Sequence, residues 1–140
     1  MSDIEDIRRV LAQYCFATDS GDTEAWLATF TDDIIWEGGA FGRFSGKVEA
    51  RAYHAASAGS AVNFRHFTTN SIIDVEGGQA RVRSYVQVFD QSCASPVLAF
   101  SGLYADVFEK SDGGWRIKGR HLLAHPKDLA GLVQRQTQTA

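Results

Sequence analysis

The chain has 140 residues, of which 44% are hydrophobic and 22% are charged, and its formal net charge at pH 7 is −3. This length is sufficient for one domain whose core needs neither a metal nor a disulfide to fold. The charge is weakly negative and the sequence has no basic block, which argues against a nucleic-acid partner.

The sequence carries no signal for a membrane segment, a metal site or an organic cofactor. Its N-terminus is acidic where a secretory signal would be basic, and no apolar run approaches the ~18 residues of a membrane span. We therefore expect a cytoplasmic protein without a membrane partner. Cys15 and Cys93 have neither CxxC nor Cys/His ligand spacing, which predicts free thiols and no zinc site. Because no glycine-rich phosphate-binding motif is present either, we expect no cofactor.

Three helices are predicted in the first half of the chain. A capping box opens the sequence, and apolar residues then recur at helical spacing, which predicts a helix over residues 3–19. Asp22 can cap a short second helix that carries Phe30 near its end. The Ala-rich stretch 47–57 predicts a third helix, which Gly59 would close.

Strands make up the remainder of the predicted domain. Two short runs, 34–37 and 41–44, flank a Gly-Gly turn and predict a hairpin. Four long β-type runs follow the third helix, at residues 64–75, 79–89, 97–110 and 115–125. Sequential strands with short turns pair antiparallel, so the sequence predicts an α+β fold with an antiparallel meander. We expect a single domain over 1–140, with a polar tail from about residue 126.

One of these strands predicts self-association. The run from Val97 to Tyr104 is apolar on both faces. A strand of this kind is covered on both sides, here by the helices on one side and by another subunit on the other. We therefore expect a homodimer or a homotrimer.

The segment 65–70, Arg-His-Phe-Thr-Thr-Asn, is the most informative stretch of the chain. His66 lies in a predicted strand, where an ionisable side chain is costly unless it has a partner. The candidate partner is Asp19. A carboxylate in the last turn of a helix faces the negative end of the helix dipole, at a cost of roughly 0.3–1 kcal/mol. Asp19 also shares a buried ridge of the helix with Leu11 and Cys15. The two would form a simple proton-abstracting pair. Taken separately, they also fit a satisfied core histidine and a solvated helix-end acid.

Together with several other motifs, these residues resemble the nuclear transport factor two-like superfamily, and within it the SnoaL-like branch that includes scytalone dehydratase, lindane dehydrochlorinase and bile-acid dehydratase. The matching positions extend over about the whole chain: Tyr14, 17–22, 30–33, 36–37, Gly42, Gly46, 65–70 and 112–117. The resemblance implies a cone-shaped fold, in which a curved antiparallel sheet packs against three N-terminal helices.

The resemblance also implies catalytic roles. Asp19 and His66 fall on the acid and histidine that these enzymes use as a dyad, and Tyr14 falls on a tyrosine of the bile-acid dehydratase. Asp19 would orient His66, which would take a proton from carbon, while Tyr14 would donate a hydrogen bond to a substrate oxygen. Tyr14 also fits a core tyrosine that bonds to a backbone carbonyl.

Arg120 falls on an arginine of the dehydrochlorinase. In strict strand alternation it would point to solvent together with Arg116 and Lys118. It reaches the pocket only if Gly119 marks a β-bulge that resets the alternation.

Aromatic residues on several predicted elements indicate an apolar pocket suited to a neutral ring-shaped molecule. The candidate pocket residues are Trp26, Trp36, Phe41, Phe64, Asn70 and Phe100. Asn70 is included because it has the same strand parity as His66. Each aromatic residue also fits an ordinary core position.

The leading hypothesis is a cofactor-independent lyase or isomerase, similar to a dehydratase or dehydrohalogenase, acting on a small hydrophobic ring substrate. One alternative is a non-catalytic small-molecule binder or a structural β-type subunit of a ring-hydroxylating dioxygenase. Another is an enzyme similar to ketosteroid isomerase or a polyketide cyclase. The region of Phe100 has no counterpart of the second histidine of scytalone dehydratase, which argues against that substrate.

Overall fold

The computed structural model describes residues 2–124, and the predicted polar tail and His125 lie outside this range. The elements in chain order are α1 Asp3–Ser20, α2 Thr23–Leu27, β1 Phe30–Glu37, a 3-10 turn Gly39–Phe41, β2 Arg43–Ser45, α3 Gly46–Ala61, β3 Phe64–Glu76, β4 Gln79–Asp90, β5 Val97–Ser111 and β6 Gly114–Ala124. Three helices pack against one curved, unclosed sheet, so the predicted α+β cone is confirmed. Within the described range, no helix is both long and apolar enough to span a membrane.

The first helix has the bounds and caps that the sequence predicts. The Ser2 hydroxyl accepts a hydrogen bond from the backbone N–H of Glu5, which satisfies one of the free donors at the helix start. At the other end, Gly21 adopts the left-handed conformation with φ 68°, which glycine tolerates without steric cost. The apolar face of α1 buries Ile7 and Leu11 in the core.

Two helix boundaries differ from the prediction. The second helix ends at Leu27, and Phe30 begins β1. The backbone joins the sheet at this point because the Ile117 N–H donates to the Thr29 carbonyl. The third helix continues through Gly59 to Ala61, since a glycine inside a helix lowers stability without ending the helix.

The sheet has the strand order β2-β1-β6-β5-β4-β3. The predicted hairpin β1–β2 and the predicted meander β3–β6 are both present and antiparallel. The pair β1–β6 is parallel, which makes the sheet mixed. A meander predicts pairing only between strands that follow each other in sequence. It does not predict the β1–β6 pair, because these two strands are separated by most of the chain.

Two bulges change which side chains face the helices. In β6, Gly119 pairs with Val107 and Ile117 pairs with Phe108, so Lys118 is passed over and the alternation shifts by one residue. In β3 the pairing with β4 shifts between Thr69 and Ile72. These two irregularities decide the positions of two residues of the candidate site.

We expect Gly59→Ala to raise the free energy of unfolding by about 0.5–1 kcal/mol, the difference between alanine and glycine inside a helix. A Cβ at Gly59 would meet no heavy atom within 4 Å. Urea unfolding measures the effect. The matched control is Gly21→Ala, which should lower stability by roughly 1–2 kcal/mol because its φ is left-handed. A loss of stability in Gly59→Ala would contradict the helical assignment at this position.

Candidate active site

A cavity of about 360 Å³ lies between the three helices and the sheet. Its wall is largely apolar and aromatic, and no Asp, Glu, Lys or Arg side chain of the described residues lines it. All five predicted aromatic residues are on this wall: Trp26, Trp36, Phe41, Phe64 and Phe100. The cavity is therefore suited to a neutral molecule with apolar rings.

Asp19 and His66 meet at the edge of this cavity. The Asp19 Oδ1 atom lies 2.6 Å from Nδ1 of His66, and Asp19 Oδ2 accepts a hydrogen bond of 3.0 Å from the His66 backbone N–H. The two side chains are only 13% and 19% exposed. An ionised carboxylate only accepts hydrogen bonds, so Nδ1 carries a proton and Nε2 is left as the free basic atom of the neutral ring.

The fold brings these two residues together from two elements that are distant in sequence. Asp19 is in the last turn of α1, and His66 is the third residue of β3, against which α1 packs. His66 also lines a wider groove of about 1070 Å³ between α1 and β3 on the other side of the dyad. The histidine therefore lies at the boundary between the cavity and the outer groove.

Tyr14 lines the cavity at a position set by aromatic neighbours. Its ring centroid lies 6.0 Å from that of Trp26, 5.9 Å from Phe30 and 6.1 Å from Tyr104. Tyr14 is buried, yet its hydroxyl makes no hydrogen bond to any residue in the range 2–124. That hydroxyl is available to donate to a ligand oxygen.

Arg120 lies behind the cavity wall. The bulge at Gly119 turns its side chain inward, where it makes two 2.8 Å hydrogen bonds to the carboxylate of Asp106. Both side chains are completely buried. Burial alone would lower the pKa of Arg120, but the Asp106 carboxylate more than offsets this and raises it. Arg120 is therefore a permanent buried cation.

This cation supports two tyrosine rings. The guanidinium carbon lies 4.3 Å from the ring centroid of Tyr14 and 3.6 Å from that of Tyr104. Burial raises the pKa of Tyr104 well above its ordinary value, so this phenol stays neutral. Arg120 itself does not line the cavity, and it acts on the site through Tyr14.

Asn70 lies away from the cavity. It adopts a left-handed backbone conformation with φ 56° in the β3 bulge and lines the outer groove. The bulge interrupts the alternation on which its predicted parity with His66 depends. Asparagine is among the few residues that adopt this conformation readily.

His54, a histidine of α3, is a cavity residue that the sequence analysis did not single out. It lies one helical turn after the buried Ala50, and that spacing was the signal available in the sequence. Its Nδ1 lies 3.0 Å from the Thr23 hydroxyl, and its ring stacks on Trp26 at a centroid distance of 4.5 Å. Burial lowers the pKa of His54, opposed in part by the charge of Asp22.

Several polar atoms of the cavity wall are buried without a hydrogen-bond partner in the described part of the chain. They are His54 Nε2, Trp36 Nε1 and Thr18 Oγ1. Buried polar groups are nearly always paired, so these three atoms are hydrogen-bonding groups whose partners the described residues do not supply.

The free thiols predicted for Cys15 and Cys93 are confirmed. Cys15 is buried, with its sulfur 3.3 Å from the Thr68 hydroxyl, and Cys93 is exposed. Within residues 2–124, no three His, Cys, Asp or Glu side chains converge to form a metal site.

The SnoaL-like domain family matches residues 1–121 of the chain. A variant of Rv3472, a function-unknown protein from Mycobacterium tuberculosis, is 30% identical with a TM-score of 0.79, over 98% of this chain and 88% of that one. An NTF2-like protein with a cystatin-like fold from Novosphingobium aromaticivorans is 25% identical with a TM-score of 0.80. The match covers 94% of this chain and 87% of that one. A proposed scytalone dehydratase from the same organism shares the fold, with 23% identity and a TM-score of 0.75. The match covers 91% of this chain and 94% of that one. No curated protein matches the chain.

We expect Arg120→Met to lower the free energy of unfolding by about 3–5 kcal/mol, because the Asp106 carboxylate stays buried without the guanidinium. The double change Arg120→Met with Asp106→Leu should recover a large part of this loss, since neither buried charge remains. Urea unfolding measures both. The matched control is Lys118→Met on the same strand, which removes exposed ion pairs to Asp33 and Glu109 and should cost at most about 1 kcal/mol. Equal losses at the two positions would contradict the role of the buried pair.

Proposed function

Because the chain belongs to the SnoaL-like domain family, within the NTF2-like superfamily, we propose that it is a cofactor-independent lyase or isomerase acting on a small, neutral ring compound. Membership of a fold family does not decide a reaction, so the proposal depends on the site. The observation that carries it is the double contact of Asp19 with His66 at the wall of an apolar cavity.

In the proposed reaction His66 is the base and Asp19 is a positioning residue. The lone pair of Nε2 takes a proton from a carbon of the substrate, and the electrons of that C–H bond form a new double bond. Asp19, at 2.6 Å from Nδ1, stabilises the imidazolium that results. Its second hydrogen bond, to the His66 backbone, holds the carboxylate in place during this step.

The fate of the new electron pair distinguishes the reaction types. In an elimination, the adjacent carbon loses hydroxide or halide, and His66 can return its proton to a departing hydroxide so that water leaves. In an isomerisation, His66 returns the proton to another carbon and the double bond shifts. Tyr14, held by Arg120, would donate a hydrogen bond to the substrate oxygen that gains charge.

Ligand binding without turnover is a second candidate function. The unpartnered Trp36 Nε1 and Thr18 Oγ1 atoms support it, because they suit a bound molecule whether or not a reaction follows. Turnover assays separate the two candidates.

We expect His66→Ala to lower turnover by about 10²–10⁴, the contribution of a positioned general base. Asp19→Asn should approach this loss, because an amide no longer stabilises the imidazolium and can hold the ring in the wrong tautomer. The double variant should be little worse than either single one, since the two residues act as a unit. Hydroxylated and halogenated ring compounds are the substrates to screen, with formation of the double bond followed by ultraviolet absorbance.

His121→Ala provides the matched control for the dyad experiment, because His121 is an exposed histidine that does not line the cavity. It should retain full turnover. Multiplicative losses in the double variant, or normal turnover by a folded His66→Ala protein, would reject the dyad and favour the binding function.

We also propose that two or three copies of the chain associate through the sheet face opposite the helices. Phe67, Tyr85 and Leu98 lie on this face with about half of each side chain exposed. Phe89 adds to the patch through a ring contact of 5.5 Å with Phe67. In the strand predicted to be covered twice, Leu98 is exposed while Leu103, which is on the same face, is buried, so only the first part of this strand is open to a second copy.

Sedimentation should therefore give a mass of two or three chains at micromolar concentration. Phe67→Lys combined with Tyr85→Lys should shift the protein to a monomer, because two charges would be buried in the interface. Val48→Lys changes an equally apolar but remote exposed side chain on α3 and should leave the mass unchanged. A monomeric wild-type protein would refute the proposal.

A further inference from the structure

The cavity contains a second imidazole that the proposed reaction leaves without a role. His54 is only 3% exposed and lines the cavity from α3. Its Nε2 atom is buried and has no hydrogen-bond partner within residues 2–124. A buried ring nitrogen without a partner lowers stability, and because the residue lines the cavity, an atom of a bound ligand is a candidate for the missing partner.

One ring nitrogen of His54 has a hydroxyl partner. The Thr23 hydroxyl lies 3.0 Å from Nδ1, and this nitrogen is the only partner that the hydroxyl has among the described residues. A hydroxyl can donate to a ring nitrogen or accept from it, so this contact is compatible with either tautomer. In the tautomer that we adopt for the inference below, Thr23 donates to Nδ1. The proton of the neutral ring is then on Nε2, which is a hydrogen-bond donor.

The two histidines of the cavity have opposite electrostatic surroundings. His66 contacts a carboxylate at 2.6 Å, whereas His54 contacts a hydroxyl and the ring face of Trp26. Burial lowers the pKa of His54, although the charge of Asp22 opposes this in part, and the lowered pKa favours the neutral ring. Such a difference between two titratable groups separates a base from a neutral donor.

Trp26 contacts two of the cavity residues that have a free donor. Its ring is in contact with that of Tyr14, at a centroid distance of 6.0 Å, and with that of His54, at 4.5 Å. Tyr14 and His54 therefore both border Trp26 on the cavity wall. A donor from each of them would suit a ligand oxygen on which negative charge develops.

We propose that His54 is a catalytic residue that donates its Nε2–H to the carbonyl oxygen of a neutral cyclic ketone bound in the cavity. When His66 removes a proton from the carbon next to that carbonyl, the electrons of the C–H bond form a carbon–carbon double bond and the carbonyl oxygen gains the negative charge. His54 stabilises this enolate oxygen as a neutral donor and keeps its own proton. The proton transfer to His66 in this assignment rests on the proposed function. The hydrogen bond from His54 rests only on the geometry of the cavity.

The first test compares the binding of two bicyclic probes, 1-tetralone and its hydrocarbon counterpart tetralin, to the full chain by calorimetry. The wild-type protein should bind 1-tetralone about tenfold more tightly than tetralin, as one hydrogen bond to an otherwise unpaired donor implies. His54→Phe keeps an aromatic ring on Trp26 but removes the donor. It should abolish the preference, so that the two probes bind with equal affinity. His54→Gln, whose amide offers an N–H, should restore part of the preference.

A second measurement does not depend on any variant. Nitrogen-15 spectra of the imidazoles in the wild-type protein should show His54 as the neutral Nε2–H tautomer, and 1-tetralone should shift the Nε2 resonance. An Nδ1–H tautomer, equal affinity of the wild type for the two probes, or equal losses for both probes in His54→Phe would overturn the assignment. Absence of detectable binding of either probe counts as equal affinity.

Deuterium uptake at the carbon next to the carbonyl of 1-tetralone separates this inference from the proposed function. In D₂O the wild-type protein should catalyse the exchange, His66→Ala should abolish it, and His54→Phe should slow it. If exchange is absent in the wild type while the preference for 1-tetralone is lost in His54→Phe, the proton-transfer function fails and the His54 hydrogen bond stands.

Discussion

The buried ion pair between Arg120 and Asp106 is the interaction on which one wall of the cavity depends. Two charged side chains lie there without any exposure, and their two-point contact makes this burial tolerable. The guanidinium also packs against the ring faces of Tyr14 and Tyr104. The pair therefore links β5 and β6 to the first helix, and it holds the Tyr14 ring where its hydroxyl lines the cavity.

A second constraint connects α1 to the edge strand of the sheet. One carboxylate, Asp19, binds both the ring and the backbone of His66, so the helix end and the strand fix each other's position. Elsewhere on the cavity wall, His54 has a hydroxyl partner and contacts an aromatic face. The two histidines of this site therefore have different hydrogen-bond partners, a carboxylate for His66 and a hydroxyl for His54. We attribute their different proposed roles to these neighbours.

The cavity retains polar atoms that folding leaves unsatisfied. A buried donor or acceptor without a partner costs about 1–3 kcal/mol, so several of them around one apolar space reduce stability. Trp36 Nε1, Thr18 Oγ1 and His54 Nε2 are all of this kind. A fold that needed this space only for its core would fill it with apolar side chains, which supports a role for the space in holding a ligand.

The sequence by itself determined the elements and the candidate pair, because helix caps, helical spacing and strand alternation are local patterns. It singled out Asp19 at the end of a helix and His66 in a strand as a possible pair, and the structure brings these two side chains into contact. The tertiary structure decided the rest. A bulge turned Arg120 into the core and another moved Asn70 out to the groove, while α3 brought His54 onto the cavity wall. A bulge depends on pairing with a partner strand, and the burial of a helical residue depends on what packs against it, so neither is encoded in the neighbouring residues of the chain.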